Sequence, residues 1–159
     1  MKLNMTYYGN DIKINNYDKI IENLFIGNKE SVKEFHRFDL LVNCTREINY
    51  SMPCIKIPVD DYPSEYLKML TFIYDTGVLE KMHSLITQNK PVLVHCYAGM
   101  QRSCAVVACY LVKYHGMTPE NAILFIRQRR PVAFYYQVNF LRTIMAVYDS
   151  TLEKDPPKL

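Results

Sequence analysis

Apolar residues fall into short runs and spaced stripes along this chain. Ile20-Ile21 and Leu24-Phe25-Ile26 bracket a polar step and end at Gly27-Asn28, a turn pair, which predicts a short strand or hairpin. Residues 30–37 read as a brief helix. Leu40-Leu41-Val42-Asn43-Cys44 is a compact apolar run of the kind found in central parallel strands. Ile55-Lys56-Ile57-Pro58-Val59 alternates, then stops at Asp60-Asp61-Tyr62-Pro63, a loop signal. Across residues 64–88, Leu67, Leu70, Ile73, Leu79, Met82 and Ile86 fall roughly on one helical face. Gly77 should break or bend that helix, since an interior Gly costs about 1 kcal/mol relative to Ala. Pro91-Val92-Leu93-Val94 reads as another buried strand. A loop and an apolar helix follow, the helix running to Tyr114 with Gly116 as its cap. Thr118-Pro119-Glu120 starts the next helix with an N-cap, a first-position Pro and a first-turn acid; Pro131 stops it after Arg130. A last helix is expected over 137–148. Strands alternating with helices, then a run of helices, predict the α/β class: a mostly parallel central sheet flanked by helices on both faces.

The 159 residues suit one core. Residues 1–16, polar and rich in Asn and Tyr, read as a loose N-terminal arm and a candidate dimerisation element. Residues 17–151 form the domain, and 152–159, with Pro156-Pro157, a flexible tail. The first residues lack the apolar core of a signal peptide, and no apolar run approaches a membrane span. The expectation is a protein of the cytoplasm, and of the nucleus where size lets it enter, without a membrane partner. A net charge of +3 is too weak to argue for nucleic acid. The five cysteines are odd in number and form no CxxC pair, so free thiols are expected rather than a disulfide framework or a zinc site.

One stretch carries chemistry. His95-Cys96-Tyr97-Ala98-Gly99-Met100-Gln101-Arg102-Ser103 lies between the strand 91–94 and the following helix. A thiol at the amino end of a helix, beside a fixed cation, is favoured as the nucleophilic thiolate. The free backbone N–H groups of the helix start can cradle phosphate oxygens, and Gly99 lets the loop curl. Arg102 can offer two parallel hydrogen bonds to a phosphoryl group, which Lys could not copy. A carboxylic acid elsewhere must protonate the leaving oxygen, and Asp60-Asp61 is the candidate pair.

The Cys-(five residues)-Arg-Ser segment resembles the signature of the cysteine-dependent protein phosphatases. Asn23-Leu24-Phe25-Ile26-Gly27, Leu41-Val42-Asn43-Cys44-Thr45-Arg46-Glu47, Ile57-Pro58-Val59-Asp60-Asp61 and Arg127-Gln128-Arg129-Arg130-Pro131 resemble segments of its small dual-specificity branch. The resemblance implies hydrolysis of phosphotyrosine and phosphoserine or phosphothreonine on protein substrates, with no metal or organic cofactor. It implies Cys96 as the nucleophile that forms a phosphocysteine, and Arg102 as the phosphoryl binder. Ser103 would bond the sulfur and help expel it, and His95 would orient the loop and help hold the thiolate. Asp61 would be the acid and then the base, with Asp60 as fallback. The backbone of Tyr97, Ala98, Gly99, Met100 and Gln101 would cradle the phosphate. The family's Pro-Asn pair after the Arg-Arg run is replaced by Tyr135-Tyr136-Gln137, where Gln137 is the candidate substitute. In some members a cysteine matching Cys44 forms a reversible disulfide with the nucleophile, making Cys44 the redox candidate.

Two alternatives stay open. A phosphatase for RNA 5′ ends or phosphoinositides would favour cations among the spacers, and here all five are uncharged. A non-catalytic phosphoresidue-binding module would lose Cys, Arg or the acid, and this chain keeps all three. Arg127, Arg129 and Arg130 read as helix-end cations, with a basic rim for acidic phosphopeptides as the alternative, and Tyr97 and Tyr62 as lining the pocket mouth.

Overall fold

The computed structural model describes residues 4–7 and 10–153. Strands β1 (Asn4–Tyr7) and β2 (Asn10–Lys13) pair antiparallel as a two-stranded sheet, so much of the segment read as a loose arm is a hairpin. Asn15 and Asn16 already bond to the domain: the Asn15 carbonyl accepts from Arg130 at 3.0 Å, and the Asn16 carbonyl from the Asn28 N–H at 2.9 Å. Of the tail, residues 152–153 close the last helix, and 154–159 lie outside the described residues.

The main sheet has five strands in the order β3 (Tyr17–Ile21), β4 (Leu24–Gly27), β7 (Val92–His95), β5 (Leu40–Asn43) and β6 (Ile55–Lys56). β3 runs antiparallel to β4; the other pairs are parallel. Leu24, Val92 and Leu40 are in register, as are Ile26, Val94 and Val42, so they share one face. That face joins the main core, with Met69 and Ile73 of α1 (Tyr66–Thr76), Met82 of α2 (Val78–Thr87), Ile126 of α4 (Pro119–Arg129) and Ile144 of α5 (Leu141–Glu153). At its centre lies α3 (Arg102–Tyr114), buried at every position from Arg102 to Val112. A helix apolar all round belongs inside, which is why its sequence shows no polar stripe. The opposite face presents Phe25, Leu93 and Leu41. It is covered by a 3-10 helix, Lys29–Arg37, and an edge-to-face trio of Tyr17, Phe25 and Phe38. Helices therefore flank both faces unequally.

Local signals acted as expected at several points. Gly77 takes a left-handed φ of 64° and separates α1 from α2. Asn28 caps the 3-10 helix, and Thr118 caps α4. The alternating run at 55–59 yields only a two-residue strand, because Pro58 has no N–H to continue the ladder. Ile57 and Val59 are nonetheless fully buried. The last helix starts at Leu141, not at residue 137, and runs on to Glu153. Phe134 and Tyr136 adopt left-handed backbone, and segment 135–139 spends its polar groups on tertiary bonds instead of helical ones.

Candidate active site

Gly27, His95 and Asn43 are in register at the carboxyl ends of β4, β7 and β5. Ligand sites of open α/β sheets form outside such strand ends. Residues 96–101 connect β7 to α3 there. The loop curls through Gly99, whose φ is +67°. A Cβ at Gly99 would meet Arg130 Nη2 at 2.6 Å and the Gly27 carbonyl oxygen at 2.8 Å, so glycine is required by shape and backbone together.

Cys96 is buried beneath this loop. Its Sγ accepts from the Gly99 N–H at 3.3 Å and lies 3.1 Å from Ser103 Oγ. The Gly99 N–H belongs to the loop itself, and the Ser103 hydroxyl to the first turn of α3. His95 is also buried. One ring nitrogen contacts Tyr50 Oη at 2.8 Å and the other faces the Cys96 carbonyl at 3.5 Å. Burial, reinforced by the Arg102 charge, pushes its imidazole down to about 4. His95 is thus neutral at pH 7 and steadies the loop by position rather than by charge. The same burial raises the Tyr50 hydroxyl well above its usual range.

Arg102 commits three of its five guanidinium N–H groups to the protein. Nη2 and Nη1 fork onto Glu47 at 2.5 and 3.1 Å, and Nη1 also donates to the Val59 carbonyl at 3.0 Å. Nε is buried without a partner among the described residues, and with the second Nη2 N–H it remains as a pair of donors for phosphoryl oxygens. The Arg102 hydrogen bonds hold the Glu47 carboxyl below its ordinary range. Glu47 reaches Arg102 because Asn43, buried at the end of β5, knots the turn behind it. Its amide donates to the Ile48 carbonyl at 2.8 Å and accepts from Thr45 Oγ1 at 2.7 Å. Glu47 carried no role in the sequence reading, although a buried guanidinium requires a carboxylate partner and would have signalled one.

The acid pair separates. Asp60 pairs with Arg46 at 2.9 Å on the surface. Asp61 accepts from Asn139 Nδ2 at 2.9 Å, and its charge is felt at Arg102. Val59, two residues before Asp61, is held by Arg102 itself, so the acid loop and the phosphate loop share an anchor. Tyr97 and Tyr62 are both exposed, and Lys29 Nζ donates to Tyr97 Oη at 3.0 Å. Gln101 is the exception among the spacers. Its side chain is buried and turned away, onto the carbonyls of Gln137 at 2.6 Å and Tyr135 at 3.2 Å.

Arg130 is no helix-end cation. It is completely buried, pairs with Asp18 at 2.8 Å, and donates to the carbonyls of Gly99 at 2.7 Å and Ala98 at 3.3 Å. It thereby pulls the loop's carbonyls outward and leaves its N–H groups facing in. Cys104 is buried in the core and donates to the Gly99 carbonyl at 3.5 Å. Cys44 follows β5 directly, and its N–H bonds the His95 carbonyl at 2.9 Å, which sets it beside Cys96. Burial, with the Cys96 charge adding to it, pushes the Cys44 thiol well up.

Comparison with known proteins gives this geometry its family. Residues 24–150 match the dual specificity phosphatase catalytic domain. The chain belongs to the dual-specificity phosphatase family. It is 33% identical over 119 residues to protein 123R of Invertebrate iridescent virus 6, named for a tyrosine phosphatase, covering 73% of this chain and 81% of that one. It is 32% identical over 123 residues to human dual specificity protein phosphatase 14, covering 72% of this chain and 60% of that protein. The chain thus spans only about three fifths of that relative. The crystal structure of human DUSP28 has the same fold, with a TM-score of 0.73 at 22% identity over 87% of this chain and 96% of that one. The phosphatase mechanism of this family runs through a phosphocysteine.

Proposed function

We propose that this chain hydrolyses phosphotyrosine and phosphoserine or phosphothreonine on protein substrates, using Cys96 as nucleophile. The observation that carries this is the Cys96 sulfur held by the Gly99 N–H and the Ser103 hydroxyl, with the free Arg102 Nε at the same loop. The P–S bond forms as the P–O bond to the substrate breaks, and Asp61 gives its proton to the departing oxygen. Asp61 then takes a proton from water, whose oxygen attacks phosphorus. The P–S electrons return to Cys96, and Ser103 supplies a hydrogen bond to the leaving thiolate. Phosphoryl transfer rests on positioning and charge stabilisation, which the loop amides and Arg102 provide. The uncharged spacers Tyr97 to Gln101 favour a singly phosphorylated substrate.

The test is phosphate release from matched phosphotyrosine and phosphothreonine peptides in chelator. Turnover of both is expected. Cys96→Ser should abolish it, and Asp61→Asn should reduce it by about 10²–10⁴-fold, the usual worth of a general acid. A folded enzyme that spares both peptides but releases phosphate from an inositol phosphate or a triphosphate-ended RNA would move the substrate assignment to those classes.

Cys44 extends the proposal to regulation. Peroxide would oxidise the Cys96 thiolate to a sulfenic acid. Attack by Cys44 would then form the disulfide and release water. Neighbouring parallel strands lie about 4.8 Å apart, within the roughly 4.4–6.8 Å Cα spacing a disulfide accepts. Wild type should regain activity with dithiothreitol after peroxide, and Cys44→Ser should lose it irreversibly. Equal recovery in both would remove Cys44 from the account.

A further inference from the structure

We propose that Asn139 is the positioning residue for the proton donor, an inference that rests on Asp61 being the general acid. Asp61 sits exposed on a turn, where a carboxyl side chain has several rotamers available. Asn139 Nδ2 donates to its Oδ1 at 2.9 Å, and also approaches the Asp61 backbone oxygen at 3.5 Å. The carboxamide of Asn139 is itself oriented, because its Oδ1 accepts from Gln137 Nε2 at 2.5 Å. That bond fixes which end of the amide faces Asp61.

The backbone of Asn139 is bolted to the phosphate loop. Its N–H donates to Gln101 Oε1 at 3.0 Å, while Gln101 Nε2 holds the Gln137 and Tyr135 carbonyls. Gln101 is only 6% exposed, so this clamp works in a water-poor setting. The Phe134 N–H adds a bond to the Met100 carbonyl at 2.7 Å. Segment 134–139 is held at both ends of the site, and its left-handed residues Phe134 and Tyr136 are tolerated because these contacts determine its path. Gln137, the expected support, contributes through its backbone carbonyl and by orienting Asn139. It has no bond to Asp61 among the described residues.

The chemical consequence is specific. An oxygen that accepts from an amide N–H presents a lone pair, so the acidic proton of Asp61 resides on Oδ2. Asn139 thus chooses the oxygen that delivers the proton and holds its direction towards the leaving group. It touches neither phosphorus nor the leaving oxygen.

The experiment is kcat/KM for a series of aryl phosphates whose phenols range from strongly to weakly acidic. Wild type, Asp61→Asn, Asn139→Ala and Asn139→Asp would be compared. An acidic phenol departs without a proton, and a weakly acidic one needs it. Both Asn139 variants should lose about tenfold or more on phenyl phosphate, part of what general acid catalysis supplies. They should lose less than about twofold on the most acidic ester, a retained rate that also reports a folded enzyme. Asn139→Asp has the same shape without the donor, so it should be impaired at least as much as Asn139→Ala. Loss in parallel on all esters, no loss on any, or near wild-type behaviour of Asn139→Asp would overturn the inference. A steepened series for Asp61→Asn alongside those results would leave the acid assignment standing. An unchanged series for Asp61→Asn would overturn both.

Discussion

His95 shows how burial sets a residue's role. Its ring lies between Tyr50 and the Cys96 carbonyl, and the lack of water around it keeps it uncharged. An unfolded His binds a proton below about pH 6.5, and the folded one only below about 4. Between those values the unfolded chain holds the extra proton, so this contribution is complete above pH 6.5 and is lost as pH falls towards 4. The gap is worth about 3 kcal/mol. Urea unfolding at pH 7 and pH 4.5 should show His95→Asn losing less stability across that interval than wild type. Equal losses would mean that His95 takes up its proton without disturbing the fold.

At the scale of elements, the phosphate loop is shaped from outside itself. Arg130, at the end of α4, draws in the carbonyls of Ala98 and Gly99 and pairs with Asp18 of β3. Removing one partner of a buried pair costs more than removing both, because the survivor is left uncompensated. Arg130→Met is expected to destabilise the fold by about 3 kcal/mol. Adding Asp18→Leu should restore much of that stability but not the activity, since the loop carbonyls remain unsupported. Activity recovering together with stability would show that Arg130 serves only the fold. The core strands β4, β5 and β7, the break at Gly77 and the cap at Thr118 were legible in the sequence because each follows from local pattern and backbone chemistry. The loop 96–103 was legible because Cys96, the five spacers and Arg102 are contiguous. Glu47, Asn139 and the role of Arg130 were not. Each reaches the site through contacts between residues 31 to 78 positions apart, which no local pattern encodes. The start of α5 was misread for the same reason: the clamp between Gln101 and segment 135–139 replaces the helical bonds that the apolar pattern alone suggested.

At the scale of the molecule, the parallel sheet brings Gly27, Asn43 and His95 to one edge, and α3 runs from that edge through the core. A helix start fixed by so much buried surface is a rigid platform, and preorganised donors on rigid elements stabilise developing charge without first reorganising. The fold therefore accounts for why the thiol, the guanidinium and the acid loop converge. The most direct measurement is an acid-quenched reaction of Asp61→Asn with an aryl phosphate of a strongly acidic phenol, whose departure needs no proton, followed by peptide mapping for a phosphorylated residue. The account predicts phosphate on Cys96, formed on the timescale of turnover and absent in Cys96→Ser. Phosphate on another residue, or turnover that persists in Cys96→Ser, would contradict it.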